Sequence, residues 1–357
     1  IASTRSALRQ SCYSHFKGRR AVEGRIREAL GREKLRFLAL EMARARTLDP
    51  LAIIDRERFL AAHGFDAAAT LHFANHHRCH ALPTLFFTDW DDALLYTADG
   101  GGDNVQYSMH AFRDGSLETL YGDDEDLLVD NRVDSLGMAY GFCTQALGWK
   151  MNRHEGKLTG LAALGEPSQF AAMRKHFMVT ETGEILSDFK SYSAMKAFLF
   201  GLAEPSSRED VAASVQALLE ETILASVQIM LRRCGATKLG LAGGVFANVR
   251  LNRLLAEDTD VDEVFVFPAM GDDGLSVGAC LDALAERDGM PSWLEQRHRL
   301  DDLYLGRDHT GDIDVVLGNG HNITRHDGNP ADLAVARISS GEAGAIYSRR
   351  MEFGPRA

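Results

Sequence analysis

Cysteine is scarce. Five of the 357 residues are Cys (Cys12, Cys79, Cys143, Cys234 and Cys280), far apart and with no Cys-x-x-Cys spacing. That argues against a disulfide scaffold or a zinc ribbon and fits a reducing, cytoplasmic setting. No apolar run reaches the ~18 residues that a membrane span needs, so no membrane partner is expected. Arg5, Arg9 and Lys17 interrupt the apolar stretches near Ile1, and no signal-peptide pattern is expected there. No solenoid-type repeat and no low-complexity tract is visible. What remains is the composition of a folded chain: 45% apolar and 25% charged residues, with length enough for two domains.

Basic charge is missing from most of the chain. Residues 1–60 hold 14 Lys and Arg against 7 Asp and Glu, a balance of +7; the rest of the chain stands at −19. The basic part alternates in sign along helical stretches, which reads first as a solvated helical face. The acidic bulk disfavours broad nucleic-acid binding and suits a neutral or cationic substrate.

The apolar spacing predicts a helix over 21–47 and a short one over 56–63. A strand over 93–98 is expected to end in a glycine loop, Asp99–Asp103. Alternating residues from Val105, a two-residue turn at Asp114-Gly115 and a return strand complete a three-stranded meander. A long helix is expected from a capping box at Ser206 and Glu209 to a stop at Gly235. Buried strands over 239–242 and 264–267 are each followed by glycines and a helix, which is α/β architecture.

Five clusters carry candidate chemistry. Asn75-His76-His77-Arg78-Cys79-His80 places His76 and His80 at i, i+4, one face of a helix and able to chelate one metal. A polar surface helix with incidental histidines is an equal reading of that segment alone. Cys79 lies off that face and reads as a buried structural thiol. Gly100, Gly101 and Gly102 at a strand end can let backbone N–H groups cradle a phosphate, with Asp99 placed to meet a metal. Gly243 and Gly244, between strand and helix, suit a nucleotide, and Asn248 follows them. Gly271-Asp272-Asp273-Gly274 offers one carboxylate to a cleft and one to a helix cap. Glu155 and Lys157, beside Gly156, are candidates to meet substrate, with surface ion pairing the alternative.

In this order these motifs resemble the NodU/CmcH-type O-carbamoyltransferase family, from about residue 72 to 357. The last residues, Met351-Glu-Phe-Gly-Pro-Arg-Ala357, look like the start of that family's Glu-x-Gly-Pro-Arg-Ala-Leu-Gly signature. The resemblance implies an actin/sugar-kinase/Hsp70-like (ASKHA) α/β domain, similar to that of TsaD-type tRNA-modifying proteins, followed by the start of a YrdC-like α/β domain. It implies metal ligation by His76, His80, Asp99 and Asp272, with iron the usual ion. It implies nucleotide binding at Gly243, Gly244 and Asn248, and carbamoyl phosphate near Arg356. ATP, with Mg as its companion, and carbamoyl phosphate would give a carbamoyl-adenylate, and the carbamoyl group would pass to a hydroxyl of a small natural product or sugar. His77 is the candidate acid–base or supporting group, a structural histidine being the alternative.

The expected division is 1–90 as the remainder of a first lobe carrying the histidines, 91–290 as a second lobe, 291–302 as a linker, and 303–357 as the beginning of a further domain. The family's opening strand and phosphate loop would precede Ile1, and its second domain would run past Ala357. The chain is therefore expected to be a fragment, with the reaction belonging to a longer protein and this piece inactive alone. A homodimer is compatible with the resemblance. Two other readings stay open at this point: a TsaD-like subunit acting on tRNA, and a non-catalytic actin-like nucleotide-binding protein, which would not need His76 and His80.

Overall fold

A computed structural model of the chain describes residues 55–354, apart from 104, 123–132, 319–322, 325 and 347–349. The helix expected over 21–47, and Arg356, lie outside the described residues. The chain divides into two units, Ile1–Arg299 and Leu300–Ala357.

The first unit is built on a five-stranded mixed sheet of order β3-β2-β1-β6-β7. Strands β1 (Asp92–Gly102), β2 (Val105–Arg113) and β3 (Ser116–Tyr121) form the expected antiparallel meander. Asp114 (φ 50°) and Gly115 (φ 77°) make its two-residue turn, the geometry that matches strand twist. A two-stranded ribbon, β4 (Phe177–Val179) with β5 (Ile185–Ser187), lies apart. Strands β6 (Lys238–Ala242) and β7 (Glu263–Val266) then add in parallel to β1. Alternation in β1 feeds both faces. Leu94, Tyr96 and Ala98 enter a large core with the long helix Arg208–Cys234, while Ala93 and Leu95 enter a second core under the helix His76–Phe86.

Several expectations shift. The glycine run is not a free loop: β1 continues through a bulge between Ala98 and Gly102, and the chain turns at Asp103 (φ 50°). The cap of the long helix is Ser207, whose side chain accepts from the Asp210 N–H; Ser206 instead donates to the Leu202 carbonyl. Gly235 ends that helix in the left-handed region, as the sequence predicts. This helix is long and apolar enough to cross a membrane by length and composition, but 61% of its apolar window is buried inside the protein, as in a core helix. β7 is half-buried rather than fully buried, because it is the edge strand.

The boundaries also move. The helix His76–Phe86 packs on β1 and β6, so a division at 90/91 falls inside one compact unit. The linker expected over 291–302 is helix at its start. Met290–Glu295 is helical, and Trp293 is buried in the second core, its Nε1 donating to the Leu281 carbonyl at 3.0 Å. The indole supplies the burial that the surrounding charge pattern hid. The second unit has helices Ile313–Gly318 and Pro330–Ser339, and none of its described residues is buried.

Trp293→Ala is expected to lower unfolding stability by about 3–5 kcal/mol, the usual cost of emptying an aromatic core position. Denaturant unfolding of the first unit measures it. A change below about 0.5 kcal/mol, typical of an exposed linker residue, would restore the linker.

Candidate functional site

The helix His76–Phe86 starts where two side chains satisfy its first N–H groups. Asn75 Oδ1 accepts from the Arg78 N–H at 3.0 Å, and Asp103 Oδ2 accepts from the His76 N–H at 2.8 Å. The i, i+4 spacing then brings the Nε2 atoms of His76 and His80 to 3.2 Å. Asp99, on β1, puts Oδ2 at 3.1 Å from His80 Nε2 and 3.7 Å from His76 Nε2. Asp272 opens the short 3-10 turn 272–274 and puts Oδ1 at 3.6 and 3.7 Å from the same two nitrogens. The four donor atoms lie within 4.8 Å of one another.

These separations fit a metal ion. A tetrahedral ion with bonds of about 2.1 Å keeps its donors about 3.4 Å apart. Two imidazoles and two carboxylates aimed at one point are a mixed N/O set, suited to iron, zinc or manganese. The charge balance agrees. Burial opposes ionisation of Asp99, yet His76 and His80 hold its carboxyl well below the usual range. Burial also opposes protonation of His80, and Asp272 and Asp99 outweigh it, pushing the imidazole up. The carboxylates demand positive charge at this point, which a proton or a cation can supply.

Close backbone approach positions the donors. A Cβ on Gly102 would overlap the His76 ring. A Cβ on Gly278 would overlap the Cys79 carbonyl, so the helix Leu275–Asp288 crosses the histidine helix at contact distance. That crossing sets Asp272, just before the helix, over His76 and His80. Arg78 Nε donates to Asp282 Oδ1 at 2.6 Å, and His72 bonds Asp282 and Glu286, fastening the same crossing. Ser135 Oγ donates to the carbonyls of Asp99 and Gly100. Gly278 and Ser135 escaped the sequence reading; a glycine inside a helical pattern was the available signal for the first.

The other expected residues fall differently. His77 does not reach the cleft. Its ring nitrogens are held by the Thr97 hydroxyl at 2.6 Å and the Val105 carbonyl at 2.9 Å, and burial keeps its pKa well down. The acid–base role therefore does not fit, and the structural alternative does. Asn248 caps the helix Val249–Asp258, accepting from the Leu251 N–H, and exchanges hydrogen bonds with Gln216, so its side-chain amide is occupied. Gly243 holds φ 98°, and a Cβ on Gly244 would stand 3.1 Å from Asp99 Oδ1, so this loop abuts the donor cluster. Gly100 and Gly101 lie in the β1 bulge. Glu155 Oε1 accepts from the Asn152 N–H, Lys157 is exposed, and neither is bonded to the donor cluster. Cys79 is buried, which pushes its thiol up out of the reactive range.

The family described as Carbamoyltransferase N-terminus matches residues 61–281. An uncharacterized protein of Methanocaldococcus jannaschii is 30% identical over 305 residues, covering 79% of this chain and 49% of the relative. Nodulation protein NolO of Bradyrhizobium diazoefficiens is 28% identical over 293 residues, covering 79% and 51%. A tRNA N6-adenosine threonylcarbamoyltransferase of Bordetella petrii is 33% identical over 109 residues, 28% of this chain and 30% of that protein. The chain spans about half the length of the first two relatives. A solved structure of full-length HypF in its phosphate- and nucleotide-bound form superposes with a TM-score of 0.38 at 13% identity, over 63% of this chain and 46% of that one.

Two outcomes are expected. Gly102→Ala should displace the His76 ring and weaken metal binding by roughly tenfold or more; wild-type affinity in a chelator competition would contradict the placement. Metal binding should also weaken as pH falls. His80 has a raised pKa, so protons compete for it from above its ordinary value near 6.5, while Asp99 stays ionised throughout. Binding isotherms at about pH 8 and about pH 6 measure this.

Proposed function

The chain belongs to the Carbamoyltransferase N-terminus family, and we propose that it is the metal-holding part of an ATP-dependent O-carbamoyltransferase. The observation that carries the reading is the convergence of His76, His80, Asp99 and Asp272 on one point. In this reading the mixed sheet is part of an ASKHA-type domain and residues from about 300 onward open a YrdC-like domain. Carbamoyl phosphate and ATP supply a carbamoyl-adenylate, and the acceptor is a hydroxyl of a small natural product or sugar.

The chemistry explains the donor set. An alcohol is a weak nucleophile near neutral pH, and the carbamoyl carbon is resonance-stabilised. A bound divalent transition ion, iron in this reading, lowers the pKa of a nearby hydroxyl and polarises a carbonyl oxygen. His76, His80 and Asp99 would hold such an ion from the wall of the cleft, and Asp272 would hold it from the exposed turn. The acceptor oxygen bonds to the carbamoyl carbon, the carbon–oxygen bond to AMP breaks, and the hydroxyl proton leaves to solvent. Gly243 lies against the Ala98 backbone and Gly244 against the Asp99 carboxylate, so an adenylate held at this loop would neighbour the donor cluster. Asn248 supports that loop through Gln216.

A second reading is threonylcarbamoyl transfer to tRNA, favoured by the 109-residue likeness to the Bordetella enzyme. The balance of −19 over residues 61–357 weighs against a polyanionic substrate.

Purified protein is expected to hold about one transition-metal ion per chain by elemental analysis. The His76→Ala/His80→Ala double variant should hold almost none. Equal metal content in the two would sink the reading. Gly244→Val should weaken AMP binding in calorimetry, and unchanged affinity would remove the nucleotide from this loop.

A further inference from the structure

The histidine helix sits over a sheet face that is apolar at one end and polar at the other. Beneath its C-terminal half lie Ala93, Leu95 and Phe112. Beneath its N-terminal half runs a buried polar row: His77, Thr97 on β1, Ser108 and His110 on β2. Thr97 and Ser108 are register partners, as are His110 on β2 and Thr119 on β3. The row is continuously bonded. His77 Nδ1 meets Thr97 Oγ1 at 2.6 Å, Thr97 Oγ1 meets Ser108 Oγ at 2.7 Å, Ser108 Oγ meets His110 Nε2 at 2.8 Å, and His110 Nδ1 meets Thr119 Oγ1 at 2.9 Å.

One end of this chain has a fixed direction. The Val105 carbonyl can only accept, so His77 donates to it from Nε2 at 2.9 Å. A neutral His77 then accepts at Nδ1 from the Thr97 hydroxyl. Thr97 Oγ1 already accepts the Ser108 N–H at 3.1 Å and takes the Ser108 hydroxyl proton as well. Ser108 Oγ accepts from His110 Nε2–H, and His110 Nδ1 accepts from Thr119. Burial keeps the His110 imidazole neutral, pushed down to about 3. Every proton in the row is thereby assigned.

We infer that His77, Thr97, Ser108 and His110 are positioning residues: their one-way hydrogen-bond chain sets the seat of the histidine helix on β1, and so the separation of His76 and His80 from Asp99. The inference rests on the metal reading above. It reaches beyond it to His110, which bonds none of the four donors and lies a strand away from Asp99. The helix carries His76 and His80 and the strand carries Asp99, and this row is where polar bonds join helix and strand on the sheet side. An apolar contact there would allow the helix to slide; a chain of directed bonds fixes its register.

Two measurements test it on the whole chain. Nitrogen-15 NMR of the metal-free protein should show His77 and His110 protonated at Nε2 with Nδ1 as the acceptor; the Nδ1–H tautomer at either overturns the chain. Thr97→Val and His110→Leu should each weaken metal affinity by roughly tenfold or more, while Thr97→Ser, which keeps the hydroxyl, should stay near wild type. A purely structural row would lower the denaturation midpoint in all variants and leave metal affinity unmoved, and that result overturns the inference. Wild-type protein that takes up no metal would defeat the metal reading, and the tautomers would still decide whether the chain exists. If the Val and Leu variants fail to fold, the NMR measurement alone decides.

Discussion

Negative charge is held at one point by two imidazoles, and the first unit is arranged around that point. Asp99 is largely enclosed, and a carboxylate taken out of water costs several kcal/mol unless it is paired. Its partners come from a helix, His76 and His80, and a second carboxylate, Asp272, arrives from a turn. Two carboxylates and two imidazoles balance only if something positive sits among them. The depressed Asp99 and the raised His80 are two expressions of that one demand.

Meeting the demand requires main chains closer together than ordinary side chains allow. The residues that permit it are not ligands. Gly102 leaves room for the His76 ring, and Gly278 lets the helix Leu275–Asp288 rest on the Cys79 carbonyl. Packing elsewhere follows from these contacts. The second core, with Leu82, Leu85, Leu281 and Trp293, fills the wedge between the two crossed helices and the sheet. The ion pair of Arg78 with Asp282 closes its rim.

Much of this was legible in the residues, and what was not has definite causes. The i, i+4 histidines and the turn at Asp114-Gly115 depend on local spacing, and local spacing survives folding. The ordered motifs identified the family because each is a short run of residues that needs no tertiary contact to be read. The role of His77 was not legible, since its partners, Thr97 and the Val105 carbonyl, are 20 and 28 residues away. The exchange of Asn248 with Gln216, 32 residues off, is a tertiary fact that local spacing does not carry. Trp293 sat in a charged stretch that read as a linker, and one indole outweighed the surrounding polarity. Glycines 100–102 read as a loop because strand propensity is weak there, yet pairing of Gly102 with Val105 carries β1 through them.

The four donors differ in exposure, and the difference bears on what the cluster is for. The side chains of His76 and His80 are 3% and 1% exposed, Asp99 is 19% exposed, and Asp272 is 73% exposed. A structural metal site closes all its positions, whereas a working one keeps a side open to water or substrate. Here the two imidazoles and Asp99 form a fixed wall, and the open side coincides with Asp272 on its short turn. The same turn has no side-chain cap of its own. A donor in that place moves with the crossing helix rather than with the sheet, while His76 and His80 cannot move apart from Asp99 without unseating the histidine helix from β1. In the proposed metal reading, the inequality therefore favours a centre that exchanges ligands on the Asp272 side over one that merely staples the fold.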